Sequence, residues 1–198
     1  MGIKFQNKYR IPSARLQNWD YGANAAYFIT ICTQNREHFF GEIVDTECIP
    51  SHKMQLSEIG KLAETEWLKT VELRPDMNLE LGEFIVMPNH FHAIIIIGKN
   101  EYNSGDGGGR DAMHCGGRDA MHCVSTDAAG KFGPQSKNLA SIVRGFKSAV
   151  TKNGRFVHPD FSWQPRFHDP IIRNTQSFEN IQNYIANNPA NWNKDKFF

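Results

Sequence analysis

Cysteine is scarce in this chain and never spaced for pairing. Four occur, Cys32, Cys48, Cys115 and Cys123, none in a Cys-x-x-Cys pair, and two belong to a repeat. That pattern argues against a disulfide framework and fits a reducing cytoplasm. Long apolar runs are missing as well. The first residues, Met1-Gly2-Ile3-Lys4-Phe5-Gln6, contain no apolar signal core, and the longest aliphatic run, around Ile94 to Ile97, is far too short to span a bilayer. We therefore expect a cytoplasmic protein with no membrane association. A charge excess is also absent: the formal net charge is +1. No Walker-type loop appears either, because Gly105 to Gly109 is glycine-rich but lacks the Lys-Ser/Thr ending.

What is present is the composition of a globular protein. Hydrophobic residues make up 40% and charged residues 22% of 198 positions, and aromatics reach 12%. The length suits one domain carrying an insertion. Basic residues gather locally despite the balanced sum. Lys4, Lys8, Arg10 and Arg15 load residues 1–22, a segment that reads as a polar arm, and Arg144, Lys147, Lys152 and Arg155 mark a second stretch. Each patch taken alone fits a phosphate-binding surface and an ordinary solvated face about equally.

The periodicity gives the order of elements. Ala26 to Thr33 is β-branched and aromatic and predicts a strand, and Phe39 to Val44 a short second one. Ser57 stands as N-cap before the helical spacing of Ile59, Leu62, Ala63 and Trp67, and Pro75 closes that region. Leu79 to Val86 and His90 to Gly98 read as hairpin partners about Met87-Pro88-Asn89. Leu139 to Lys152 predicts a helix capped by Ser136 or Asn138, Phe161 to Ile172 is extended, and Thr175 or Ser177 starts a last helix. The order is that of a split βαβ arrangement: an α+β fold in which one antiparallel sheet carries helices on one face.

Within that frame His90 and His92 alternate with Phe91, so both imidazoles project from the same strand face. Two such rings make half of a metal site, although spacing alone does not separate a metal pair from structural histidines. Near the C-terminus Tyr184 and Asn188 share a helix face at i, i+4. Taken singly, Tyr184 fits an amphipathic core position and Asn187-Asn188-Pro189 an ordinary helix end.

The combination is more specific. Met87-Pro88-Asn89-His90-Phe91-His92 followed by aliphatics resembles the HUH single-strand endonucleases of the tyrosine transposase branch. The segment Tyr184-Ile185 with Asn188-Pro189 is similar to the nucleophile helix of the REP-associated tyrosine transposases. Tyr27 to Arg36, and Trp163 to Asp169 followed by Ile172-Arg173, support that narrower match. The resemblance runs from about Tyr9 to Phe198 and leaves out residues 99–133. It implies a ferredoxin-like core with an added C-terminal nucleophile helix. It also implies a divalent metal, Mg²⁺ or Mn²⁺, with His90 and His92 as ligands, Asn188 at the third ligand position and Tyr184 as the nucleophile. The implied reaction is transesterification on single-stranded or hairpin DNA, such as a palindromic repeat. It proceeds through a 5′-phosphotyrosine, by a monomer or a homodimer. Lys8, Arg10, Arg15, Arg144, Lys147 and Lys152 are the candidate phosphate contacts. Trp163 and Phe167 are candidates for stacking on bases, with a core role for Trp163 at least as well supported. Two other readings stand beside this one: a domesticated protein that grips hairpins without cutting them, and a metal-dependent hydrolase that uses water.

From Lys99 to Gly133 the periodicity vanishes, which predicts an inserted flexible loop. It contains Gly-Gly-Arg-Asp-Ala-Met-His-Cys at 108–115 and again at 116–123. His114, Cys115, His122 and Cys123 lack the spacing of zinc fingers. The run Gly117 to Thr126 is compatible with a self-complementary coding strand centred between Met121 and His122, which favours a nucleic-acid origin for the repeat.

Overall fold

The computed structural model describes residues 4–5, 8–9, 16, 19–45, 52–103 and 136–194. Two short strands, β1 (Lys4–Phe5) and β2 (Lys8–Tyr9), pair with each other. Then follow β3 (Ala25–Cys32), β4 (Gly41–Asp45), β5 (His52–Leu56), α1 (Glu58–Glu72), β6 (Leu79–Met87), β7 (His90–Ile97), α2 (Leu139–Val157), β8 (Ile171–Ile172) and α3 (Thr175–Ala186). The main sheet has the order β6-β7-β3-β8, and every neighbouring pair is antiparallel. That order, with one helix before the β6–β7 hairpin and one after it, is the ferredoxin-like arrangement expected from the sequence.

Local chemistry accounts for the boundaries. Ser57 caps α1, its side chain accepting from the Gly60 amide, which satisfies one of the donors that a helix start leaves open. Asn138 caps α2 in a reciprocal box with Ser141. The last helix starts differently from the sequence expectation: Asn174, not Thr175 or Ser177, is its N-cap, accepting from the Ser177 amide. The β4–β5 hairpin was only half expected. Gly41 permits it, with φ of 131° and no room for a Cβ beside the Gln55 carbonyl.

The sheet divides its side chains between two layers. Phe91, Ala93, Ile95 and Ile97 of β7 join Tyr27, Ile29 and Ile31 of β3 in the main core, beneath α1 and α2. Phe91 sits 5.1 Å, centroid to centroid, from both Trp67 of α1 and Phe146 of α2. Each such buried aromatic contributes on the order of 2–3 kcal/mol by area alone. The alternate residues His90, His92 and Ile94 face the other way, where α3 packs on β6 and β7. Among the described residues no helix is long and apolar enough to cross a membrane. Residues 104–135, which hold the octad repeat, lie outside the described residues, as do Arg10 and Arg15.

Candidate active site

The site is built where β7, β3 and α3 meet. A two-residue turn, Pro88-Asn89, sends the chain from Met87 directly back to its hairpin partner His90. The register then sets Cys32 opposite His90 and Thr30 opposite His92, and cross-strand partners share a face. His90 and His92 are buried, and their rings lie 4.5 Å apart. The same-face geometry read from the sequence is the geometry observed.

Each ring is held by a specific partner. His90 Nδ1 lies 2.9 Å from Asn89 Oδ1. His92 Nδ1 lies 2.9 Å from Thr30 Oγ1. Tyr184 reaches in from α3, its hydroxyl 3.3 Å from His92 Nε2. Phe28 supports this pair, stacking on His92 at 5.2 Å and meeting the Tyr184 ring edge-on at 6.1 Å. Tyr184 itself is 41% exposed, so part of its side chain is open to solvent.

Asn188 follows one turn after Tyr184, just past the end of α3, and its side chain is buried. It is bracketed by contacts to both histidines: Tyr184 touches His92 on one side, and Trp192 stacks on His90 at 5.9 Å on the other. The structure therefore brings His90, His92, Tyr184 and Asn188 to one place on the α3 side of the sheet. The donor set, two imidazoles and an amide oxygen, suits a hard divalent cation that keeps open positions. No cluster of three or more His, Cys, Asp or Glu ligands occurs among the described residues.

Beside the site opens a cleft of about 440 Å³, lined by Phe28, Thr30, His168, Asp169 and Arg173 among others. Phe28 and Thr30 also touch His92, so cleft and site share a wall.

The candidates on α2 are not gathered there. Lys8 lies in β2, and Arg144, Lys147 and Lys152 lie on α2, whose apolar side packs on the opposite face of the sheet. Arg144 and Lys152 are exposed. Lys147 is engaged elsewhere: its Nζ donates to the Gln164 and Arg166 carbonyls at 2.8 and 3.4 Å. Burial also pushes its pKa below the ordinary lysine range. Trp163 is a core residue, packed against Phe40, Phe146 and Phe161, with Nε1 donating to the Lys147 carbonyl. Reading the sequence missed Asn89, Thr30, Phe28 and Trp192 as parts of the site. Strand pairing would have pointed to Thr30, and the i+4 step from Asn188 to Trp192.

No family model matches the chain. In structure it is similar to a REP-associated tyrosine transposase bound to a REP hairpin, with a TM-score of 0.53 at 16% identity, over 94% of this chain and 77% of that one. The chain thus has the fold of the REP-associated tyrosine transposases, as the motifs implied. A Deinococcus radiodurans protein provisionally described as a transposase superposes at a TM-score of only 0.38 and 14% identity, over 90% of this chain and 96% of that one. That likeness carries no argument. In sequence the chain is 31% identical over 187 residues to a Haemophilus influenzae protein described as uncharacterized, covering 94% of this chain and 92% of that protein. The chain belongs to the same family as that Haemophilus protein.

Proposed function

We propose that this protein is a metal-dependent single-strand DNA transesterase that acts on hairpin or palindromic-repeat DNA, with Tyr184 as its nucleophile. The observation that carries the reading is the 3.3 Å approach of the Tyr184 hydroxyl to the buried His92 imidazole. A nucleophile must sit beside the group that organises the phosphate, and this contact supports that role for Tyr184. The similarity in fold to a hairpin-bound transposase supports DNA as the partner.

The chemistry follows from the residue types. Deprotonated Tyr184 attacks the phosphorus, a Tyr Oη–P bond forms, and the bond from phosphorus to the 3′-oxygen breaks. The departing oxygen takes a proton and becomes a 3′-OH, while the phenol's own proton passes to solvent. The 5′-phosphate stays on Tyr184, and reversal by a 3′-OH rejoins the strand without ATP. His90, His92 and Asn188 would hold the divalent cation, Mg²⁺ or Mn²⁺, which when bound supplies neutralisation of phosphate charge. Burial of the imidazoles keeps water from competing for their nitrogens. The cleft beside Phe28 and Arg173 gives an unpaired strand a path to Tyr184, with Arg173 as a phosphate contact.

The test is incubation of the protein with end-labelled single-stranded hairpins taken from the flanks of its own gene, with Mn²⁺ or Mg²⁺, read on a denaturing gel. A labelled band that migrates with the protein is expected. Binding without an adduct would favour the non-cleaving hairpin binder, and cleavage to free 5′-phosphate ends without an adduct would favour water as nucleophile.

A further inference from the structure

We infer that Asn89 and Thr30 are positioning residues, fixing His90 and His92 in the same Nδ1–H tautomer so that both Nε2 atoms carry the lone pair. The inference rests on the active-site reading for its purpose, but its geometry is independent of any metal.

Consider His90 first. Its Nδ1 lies 2.9 Å from Asn89 Oδ1. An amide oxygen only accepts, so Nδ1 must donate, and a neutral ring then bears its lone pair at Nε2. Asn89 is well placed to impose this. It is buried at the tip of the β6–β7 turn, and its carbonyl accepts from the backbone N–H of Thr33 at 2.9 Å, with the Thr33 hydroxyl shared between this carbonyl and that of Glu37. The backbone is thus pinned to the end of β3 whatever the Asn89 side chain does. His92 reaches the same state by another route. A hydroxyl on either side of the ring can donate or accept, so the contacts alone admit both tautomers. A phenol, however, is the stronger donor and the poorer acceptor of the two hydroxyls, which favours Tyr184 as donor. With the Tyr184 hydroxyl donating to Nε2, Nδ1–H is left to donate to Thr30 Oγ1. Thr30 is the cross-strand partner of His92 and is itself buried. Metal-binding imidazoles commonly donate their second ring nitrogen to such a partner, which fixes ring orientation and raises ligand basicity.

The experiment is ¹⁵N NMR of the histidine side chains in the metal-free protein, followed by Mn²⁺ titration monitored by electron paramagnetic resonance. In the wild type both rings should be Nδ1–H. Asn89→Leu should release His90 into a tautomer mixture and leave His92 unchanged, and Thr30→Val should do the converse. Asn89→Asp and Thr30→Ser, which keep the acceptor, should preserve both tautomers and serve if a deletion variant fails to fold. Mn²⁺ affinity should fall about 10–100-fold in Asn89→Leu and stay near wild type in Asn89→Asp. A wild-type His90 protonated at Nε2, or an Asn89→Leu protein with an unchanged His90, would overturn the assignment. Fixed tautomers in a wild-type protein that binds no Mn²⁺ would instead overturn the metal reading on which the assignment's purpose depends.

Discussion

Tyr184 and His92 are 92 residues apart in the chain and meet hydroxyl to Nε2 at 3.3 Å, across the boundary between α3 and β7. Two local patterns create that meeting. The strand alternation of β7 aims His92 away from the α1–α2 core, and α3 packs on the face it leaves bare. The contact, the partition that produces it and the chain around it each carry a testable consequence.

The first concerns competition for one lone pair. In the tautomer inferred above, the Tyr184 hydroxyl uses the His92 Nε2 lone pair that a cation would take. Tyr184→Phe removes a hydrogen bond of about 0.5–1.5 kcal/mol and should therefore tighten Mn²⁺ binding about 2–10-fold while abolishing the DNA adduct. Calorimetric titration of both proteins measures it. Weaker binding in the variant would mean that the hydroxyl is itself a ligand.

The two faces of β7 should respond differently to truncation. Phe91→Ala opens a cavity between Trp67 and Phe146 and should cost about 3–5 kcal/mol in urea unfolding. His92→Ala also truncates a buried, hydrogen-bonded ring and should cost about 1–3 kcal/mol, less than Phe91→Ala, yet eliminate cleavage and Mn²⁺ binding. Equal destabilisation by the two changes would count against the division of the sheet into a packing face and a site face.

Tyr27 gives a pH signature. Its phenol is buried, accepts from Trp19 Nε1, and has its pKa raised by burial to about 12. A folded value above the unfolded one makes its contribution to stability complete below the unfolded value near ~10. That contribution disappears as pH rises toward 12. Relative to wild type, Tyr27→Phe should lose less stability over pH 10 to 12, measured by thermal melts. Parallel curves would contradict the burial of the ionisable group.

Residues 108–123 should be dispensable. Asp76 accepts from both the Tyr102 hydroxyl and Lys137 Nζ, and Lys137 lies over the Tyr102 ring. Those two residues flank the 104–135 segment, so its neck is closed by contacts outside it. The neck also adjoins the Ile97 end of β7, opposite the His90 end. Deleting Gly108 to Cys123 should leave melting temperature and cleavage unchanged, because loop-closure entropy varies slowly with length. Loss of activity, or stoichiometric zinc release from the intact protein, would assign the repeat a role.

Much of this was legible in the sequence because it depends on local pattern. Period-two alternation predicted that His90 and His92 share a face, and helical spacing paired Tyr184 with Asn188. The cap of α1 followed from Ser57, and that of α2 was narrowed to Ser136 or Asn138, of which the structure uses Asn138. What escaped notice depends on contacts between distant segments. Thr30 matters only through its register opposite His92, and Lys147 looks like a surface cation until the chain at Gln164 and Arg166 lays two carbonyls over it. Asn174 was passed over as a cap because Thr175 and Ser177 offer the same chemistry nearby. The β4–β5 hairpin has mixed polarity and weak alternation, so only its first strand was anticipated.

The most direct test of the central claim is to locate the phosphate. Wild-type protein is incubated with a hairpin substrate and Mn²⁺, digested with protease and nuclease, and the modified peptide sequenced by mass spectrometry. The account predicts a nucleotide linked through its 5′-phosphate to Tyr184, absent from the Tyr184→Phe protein. A covalent nucleotide on any other residue, or cleaved DNA with no modified peptide, would contradict it.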